Sequence, residues 1–188
     1  MAAGFGGNMT SKFAMTFALL AALSLSGCFG TEKPLFDVKS AVYPFPAGAH
    51  YIQYFDEGSG FKEYGRGTVS LKDGWYVAVN KGQEDDTVTF MLKPWGKNFI
   101  VMNRVPNGKG QTVYVYGIVQ PGEGGYLEYG ADCTAIGGGA ALKRKGLVDF
   151  KPGAEGQCMP TSEAALETLM QTYLASHAKP DNKYVLAK

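Results

Sequence analysis

The chain has 188 residues, of which 45% are hydrophobic, 13% aromatic and 19% charged, and its formal net charge is +1. This composition excludes a disordered chain, which would carry fewer aromatic residues and more net charge. It also excludes the strongly basic surface of a nucleic-acid-binding protein, so no nucleic acid is expected as a partner.

The first predicted element is a targeting segment at the N-terminus. Phe13 to Leu25 is a mostly apolar run of thirteen residues, preceded by a single cation at Lys12. A membrane-spanning helix needs about 20 residues, so this run fits the apolar region of a secretory signal better. The run ends in Leu25-Ser26-Gly27-Cys28, which resembles the lipobox of bacterial lipoproteins.

The resemblance covers residues 1–28 and implies a signal peptide over 1–27, cleavage before Cys28 and acylation of the Cys28 thiol with palmitate-type chains. The alternative is an ordinary signal peptide followed by an incidental cysteine. Beyond residue 27 the basic and acidic side chains are equal in number. Covalent lipid, rather than charge, is therefore the expected link to the membrane.

Lipoproteins that are retained at the inner membrane resemble one another in carrying Asp directly after the lipidated cysteine. This chain has Phe29 at that position. In a Gram-negative organism the expected location is thus the outer membrane, facing the periplasm. Residues 28–48 contain three prolines and little periodicity. We interpret residues 49–188 as a single β-rich globular domain. Residues 28–48 are interpreted as a lipidated tether whose Tyr43-Pro44-Phe45-Pro46 stretch docks on that domain.

Period-two alternation predicts strands over most of that domain. The predicted strands are His50–Phe55, Thr68–Leu71, Trp75–Val79, Thr87–Leu92, Asn98–Met102, Gln111–Val119 and Tyr126–Tyr129. Lys72-Asp73-Gly74 predicts a hairpin turn, and we expect Val69 and Leu71 to share a face with Trp75, Val77 and Val79. Residues 81–86 are expected to form a polar loop. Strands this close in sequence favour an antiparallel meander or a partly closed barrel.

The C-terminal third contains one amphipathic helix. Apolar residues at Leu166, Leu169, Met170, Tyr173 and Leu174 follow helical spacing, which predicts a helix over about 161–178 packed on the sheet. Thr161 or Ser162 can cap its start. Lys183–Ala187 is expected to add a last edge strand. The predicted fold class is therefore mainly β (a β-rich α+β protein).

Two cysteines, Cys133 and Cys158, remain once Cys28 is assigned to lipid. In an oxidising compartment they are expected to form a disulfide, which would stabilise the fold by about 3 to 4 kcal/mol. The alternative is a metal or redox pair. That alternative lacks the CxxC spacing and a nearby histidine.

The other groups of polar residues give weaker evidence for a functional site. His50 and His177 are too few for a zinc site, and His177 is better explained as a cation at a helix end. Residues 84–86 are acidic but lack the ligand spacing of an EF-hand. Residues 137–145 are glycine-rich and then basic, without a phosphate-binding motif, and are expected to form a flexible loop and a turn. We therefore predict no catalytic residue, no metal and no cofactor.

Tyrosine is the one compositional feature that suggests a binding surface. Tyr114 and Tyr116 lie on the strand face opposite Val113 and Val115, so we predict a Tyr114/Tyr116 contact surface and an aliphatic core face. Ordinary cross-strand pairing is the alternative. Together these features predict a lipid-anchored envelope protein, not an enzyme, that binds an envelope protein, a polymer or a small apolar ligand. The alternative function is a structural outer-membrane lipoprotein without a ligand.

Overall fold

Antiparallel strands dominate the computed structural model, which describes residues 28–107, 110–150, 158–176 and 178–187. The strands are β1 (Phe29–Thr31), β2 (Ala49–Asp56), β3 (Phe61–Lys72), β4 (Trp75–Asn80), β5 (Gln83–Trp95), β6 (Asn98–Pro106), β7 (Thr112–Gly122), β8 (Gly125–Tyr129), β9 (Val148–Asp149), β10 (Met159–Pro160) and β11 (Asn182–Leu186). The α-helices are α1 (Gly139–Arg144) and α2 (Glu163–Ala175), and a 3-10 turn spans Thr134–Ile136.

Eight of these strands form a closed antiparallel barrel. Strands β2 to β8 follow one another as a meander, and β11 pairs with β2 along one edge and with β8 along the other. The predicted mainly β fold with one long C-terminal helix is thus confirmed. The prediction that the last strand lies at an edge is wrong, because β11 is paired on both sides and completes the ring.

The β3–β4 hairpin has a two-residue turn at Asp73 and Gly74, both with positive φ (51° and 78°), as expected for a type I′ turn. This turn pairs Val69 with Ala78 and Leu71 with Tyr76. Residues opposite each other share a face. The predicted grouping of Val69 with Trp75, Val77 and Val79 is therefore wrong, since those three side chains point outwards.

Two strands begin earlier than the sequence predicts. Strand β3 starts at Phe61, and β5 starts at Gln83, where it pairs with Asn80. The backbone of residues 84–86 therefore belongs to β5 rather than to a loop. Their side chains lie outside the described part of the structure. Residues 139–144, predicted to be a flexible loop, form helix α1.

Apolar side chains form two cores, one on each side of the barrel wall. The interior core consists of Tyr51, Val69, Tyr76, Leu92, Val101 and Val119. The outer core covers β5–β7 and includes Met91, Ile100, Met102, Ile118, Leu166, Leu169 and Met170. Neighbours along one strand, such as Met91 and Leu92, thus enter different cores because side chains alternate.

Helix α2 covers the outside of β5–β7. Its N-cap is Ser162, whose side chain accepts a hydrogen bond from the Ala165 N–H over 3.1 Å, which confirms the predicted cap. Lys93 on the outer face of β5 forms ion pairs with Glu163 and Glu167. Charged contacts at the helix start therefore join the buried apolar stripe in fixing α2 against the barrel.

Residues 28–48 are part of the folded body. Phe29 is 0% exposed, Phe36 is buried, and β1 pairs with β7. The prediction of a tether over 28–48 is therefore wrong, because Phe29 and Phe36 belong to the outer core and Phe45 packs against the interior core. Docking of the Tyr43–Pro46 stretch is confirmed. The Phe45 N–H donates to Tyr76 Oη (2.8 Å), and Tyr76 Oη donates to the Phe45 carbonyl (2.9 Å).

The predicted disulfide between Cys133 and Cys158 is confirmed, with a Cα–Cα distance of 6.3 Å. Both residues are buried in the outer core. The Gly30 N–H donates to the Cys158 carbonyl over 3.0 Å. The bridge therefore connects the segment after β8 to the segment before α2, directly beside β1.

The predicted Tyr114/Tyr116 contact surface is wrong for Tyr116. Tyr116 is 1% exposed because β1 and the following residues cover it. Its hydroxyl accepts from the Leu35 N–H (3.0 Å) and shares a hydrogen bond with Thr31 Oγ1 (2.8 Å). Tyr114 is half-buried and its ring lies 6.3 Å from that of Trp75. Burial of both faces of β7 explains the error.

Replacing Tyr116 by Phe is expected to lower the free energy of unfolding by about 1 to 2 kcal/mol, because the Leu35 N–H and Thr31 hydroxyl lose a partly buried partner. Tyr114→Phe is the matched control, since the Tyr114 hydroxyl makes no hydrogen bond to the described residues, and it should leave stability nearly unchanged. Urea unfolding of the two variants measures this. Equal losses would contradict the assignment of Tyr116 to the core.

Candidate functional site

The inside of the barrel, which we call the lumen, contains a cavity of about 120 Å³. Its walls come from β2 to β8 and β11, with Phe45 contributed by the segment before β2. The apolar lining consists of Phe45, Tyr51, Val69, Ala78, Val88, Phe90, Val101, Val119, Tyr126, Tyr184 and Leu186. The polar lining consists of Gln53, Asn80, Asn103 and Glu128. A mainly apolar cavity with a few polar groups is the usual make-up of a small-molecule site.

Phe45 seals part of the cavity. Its ring lies 4.7 Å from that of Tyr126 at an interplanar angle of 90° and 5.2 Å from that of Tyr76. Burial raises the pKa of Tyr76 to about 12, so its hydroxyl stays protonated and can hold the Phe45 backbone at neutral pH. The aromatic wall at this position is therefore fixed by hydrogen bonds as well as by packing.

Glycine allows one tyrosine to lie flat along the lumen wall, over β3 and towards β4. A Cβ added to Gly67 would lie 2.6 Å from Tyr51 Oη and 2.3 Å from the Val79 carbonyl oxygen. The Tyr51 ring therefore lies against bare backbone on β3. Its hydroxyl donates to Asn80 Oδ1 over 2.9 Å. This contact orients both side chains on the cavity wall.

Glu128 is the only ionisable carboxylate or cation in the cavity lining of the described chain. Tyr184 Oη donates to Glu128 Oε2 over 2.7 Å, and Asn182 Nδ2 donates to the same oxygen over 3.1 Å. Gln53 Nε2 donates in turn to Asn182 Oδ1 (3.1 Å) and to Tyr184 Oη (3.4 Å). Side chains on β2, β8 and β11 thus hold one carboxyl group in place.

The two oxygens of Glu128 differ. Both hydrogen bonds end on Oε2, and Oε1 has no hydrogen-bond partner among the described residues. Glu128 is half-buried as a residue and lines the cavity. Burial raises the pKa of Glu128 and the nearby Asp181 adds to this, while the Tyr184 and Asn182 hydrogen bonds oppose it.

The residues singled out from the sequence lie elsewhere. Cys28 is half-buried immediately before β1, forms a β-bridge with Asp132, and has a raised thiol pKa owing to burial and to Asp132 and Asp181. Neither the disulfide nor Tyr114 and Tyr116 line the cavity. His50 is exposed on β2, whereas His177 falls outside the described residues.

Sequence reasoning missed Glu128, Asn182 and Tyr184 as a group. One signal was available, since Tyr126 and Glu128 are two residues apart and must share a face of the predicted strand. Tyr184 and Asn182 show the same spacing on β11. Only the pairing of Asn182 with Glu128 and of Tyr184 with Tyr126 brings the two faces together.

Two further findings concern the described residues alone. They contain no group of three or more His, Cys, Asp or Glu side chains arranged to hold a metal ion. Within the same ranges, no helix has both the length and the apolar character needed to cross a bilayer. Comparison with known proteins finds no match: no family model fits the chain, and no curated protein or solved structure is significantly similar to it.

The raised pKa of Glu128 predicts how stability depends on pH. Above the unfolded-state pKa of 4.5 the unfolded chain loses this proton, while the folded protein keeps it until its own, higher pKa. The free energy of unfolding therefore falls as pH rises through this window. Tyr184 and Asp181 are the titratable groups that act on Glu128.

We expect Glu128→Gln to remove this dependence, because the amide oxygen can still accept both hydrogen bonds but cannot ionise. Relative to the variant, the wild type should be most stable at pH 4.5 and below, and it should lose stability as the pH rises above that value. Thermal melts across this range measure the difference. Glu123→Gln in the exposed β7–β8 turn is the control and should follow the wild type. Parallel curves for wild type and Glu128→Gln would contradict the prediction.

Proposed function

We propose that this protein is a lipid-anchored bacterial envelope protein that binds a small, mainly apolar molecule in its lumen without converting it chemically. The observation that carries the proposal is the cavity in the lumen with one fixed carboxyl group. Eight-stranded barrels have an interior that side chains either fill or leave open for one small ligand. Here about 120 Å³ stays unfilled.

The size of the cavity limits the ligand. Engineered cavities of about 150 Å³ lined by apolar side chains bind benzene. A cavity of about 120 Å³ therefore suits a compact molecule of similar size rather than a long acyl chain or a polymer. Of the partners expected from the sequence, a small apolar ligand is the one this lumen supports best.

The Leu25-Ser26-Gly27-Cys28 motif supports the lipid anchor, and the periplasmic side of the outer membrane remains our proposed location. Phe29, immediately after the proposed acylated residue, is fully buried. An anchor at Cys28 would therefore attach the barrel to the bilayer with no spacer. In this proposal the ligand is bound directly at the membrane surface.

Filling the lumen should abolish ligand binding without unfolding the protein. Ala78 lines the cavity on β4, so Ala78→Leu adds side-chain volume where the ligand would sit. Its neighbour Val79 points outwards, and Val79→Leu is the matched control. Binding of benzene-sized probes, followed by NMR shifts of lumen resonances, should be lost in the first variant and kept in the second. Absence of binding in the wild type would favour the structural lipoprotein without a ligand.

Replacing Cys28 by Ser should abolish lipidation, because the serine hydroxyl cannot replace the thiol that is acylated. We expect loss of palmitate labelling and accumulation of the uncleaved precursor in bacterial cells. A Cys133→Ser and Cys158→Ser double variant is the control and should still be labelled. Full acylation of the Cys28→Ser protein would refute the lipid anchor.

A further inference from the structure

The polar end of the lumen presents one acceptor atom that the fold itself does not use. Tyr184 and Asn182 both donate to Glu128 Oε2, so the hydrogen bonds that position the side chain leave Oε1 without a partner among the described residues, on a residue that lines the cavity. A carboxyl group held in this way is oriented before any ligand enters. Such preorganisation reduces the entropic cost of binding.

Glu128 has no positively charged partner in the described cavity lining. The described cavity lining contains no Lys, Arg or His that could neutralise Glu128, and its other polar members are the amides Gln53, Asn80 and Asn103. Buried carboxylates in proteins are normally paired with a cation. When Glu128 ionises, the positive partner must therefore come from outside the lumen wall.

Aromatic rings make up much of the remaining wall. Tyr51, Phe90, Tyr126 and Tyr184 line the cavity together with Phe45. The Tyr51 and Tyr184 rings lie 6.0 Å apart at 72°, and Tyr184 also contacts Glu128 directly. The faces of such rings attract cations, most strongly where water is excluded. An acid and several aromatic rings thus surround the same small space.

We propose that the ligand is a small organic cation, an amine or a quaternary ammonium compound with a short apolar body, whose charge pairs with Glu128 while its carbon atoms pack against the aromatic rings. This inference rests on the proposed function, because it names the class of molecule that the lumen binds. Binding requires Glu128 to be ionised, so the complex forms with release of one proton when the ligand carries a permanent charge.

The test compares two molecules of the same shape. Choline carries a permanent positive charge, and 3,3-dimethylbutan-1-ol replaces its nitrogen by a neutral carbon. Titration of the purified mature protein, which begins at Cys28 in the proposed function, followed by NMR shifts of lumen resonances and by calorimetry, should show choline binding about tenfold or more tighter than the alcohol. Choline affinity should also rise with pH, by up to about tenfold per pH unit, until Glu128 is fully ionised.

Glu128→Gln is the decisive variant. It should weaken choline binding about tenfold or more and leave the affinity for the alcohol within about threefold of the wild type. The pH dependence of choline binding and the proton release should disappear with it. Glu123→Gln, in the exposed turn, should behave as the wild type in every titration. Melting curves of both variants verify that they are folded.

Each other outcome overturns the inference in a recognisable way. If the alcohol binds in the lumen as tightly as choline, the ligand is a neutral apolar molecule, and the proposed lumen binding stands without the cation. If choline binds equally well to Glu128→Gln, the carboxylate does not recognise the charge. If neither molecule nor benzene shifts any lumen resonance, the inference and the proposed function both fail.

Discussion

The pairing of β11 with both β2 and β8 is the contact on which the rest of the structure depends. The meander from β2 to β8 would otherwise be an open sheet with two unpaired edges, which proteins avoid or protect. Helix α2 leads the chain from Cys158 of the disulfide back to the space between β2 and β8. Just before β11, the Asp181 carbonyl accepts a hydrogen bond from the Asp56 N–H (3.0 Å). Closure converts one face of the sheet into a lumen and brings Tyr184 and Asn182 to Glu128.

Closure also determines which strands are buried on both faces. Helix α2 and the segment around β1 cover the outside of β5–β7 and reach Tyr129 on β8. On β5–β7 the sequence changes from alternation to continuous apolar runs. Ile100, Val101 and Met102 are each no more than 2% exposed. The opposite part of the barrel, on β3, keeps one exposed face. The burial of Phe29 and Tyr116 follows from this asymmetry, because the covered side of the wall offers an apolar surface to the N-terminal segment.

Local signals in the sequence predict helices, strands and turns well, but they predict poorly which faces of those elements are buried. Asp73-Gly74 correctly predicts the hairpin, and Ser162 with the spacing of Leu166, Leu169 and Met170 predicts α2. The residues predicted to share a face with Val69 are wrong, because a two-residue turn places Tyr76 and Ala78, not Trp75 and Val77, on that face. The prediction of an exposed Tyr116 is wrong because alternation assigns residues to the two faces of a strand but does not indicate whether both faces are buried. The Glu128 site depends on pairing between β8 and β11, which are separated by α2 and the disulfide, so no local pattern could locate it.

The carboxyl group in the lumen is difficult to explain by stability alone. A glutamine would offer Tyr184 and Asn182 the same acceptor oxygen and would carry no cost of burying an ionisable group. The fold therefore needs an acceptor at this position but does not need an acid. What an acid adds is a charge, or a proton that can leave, and ionisation of this acid lowers the stability of the empty barrel rather than raising it. Because the described lining supplies no cation of its own, the proposed binding of a cationic ligand rests on the acid at residue 128.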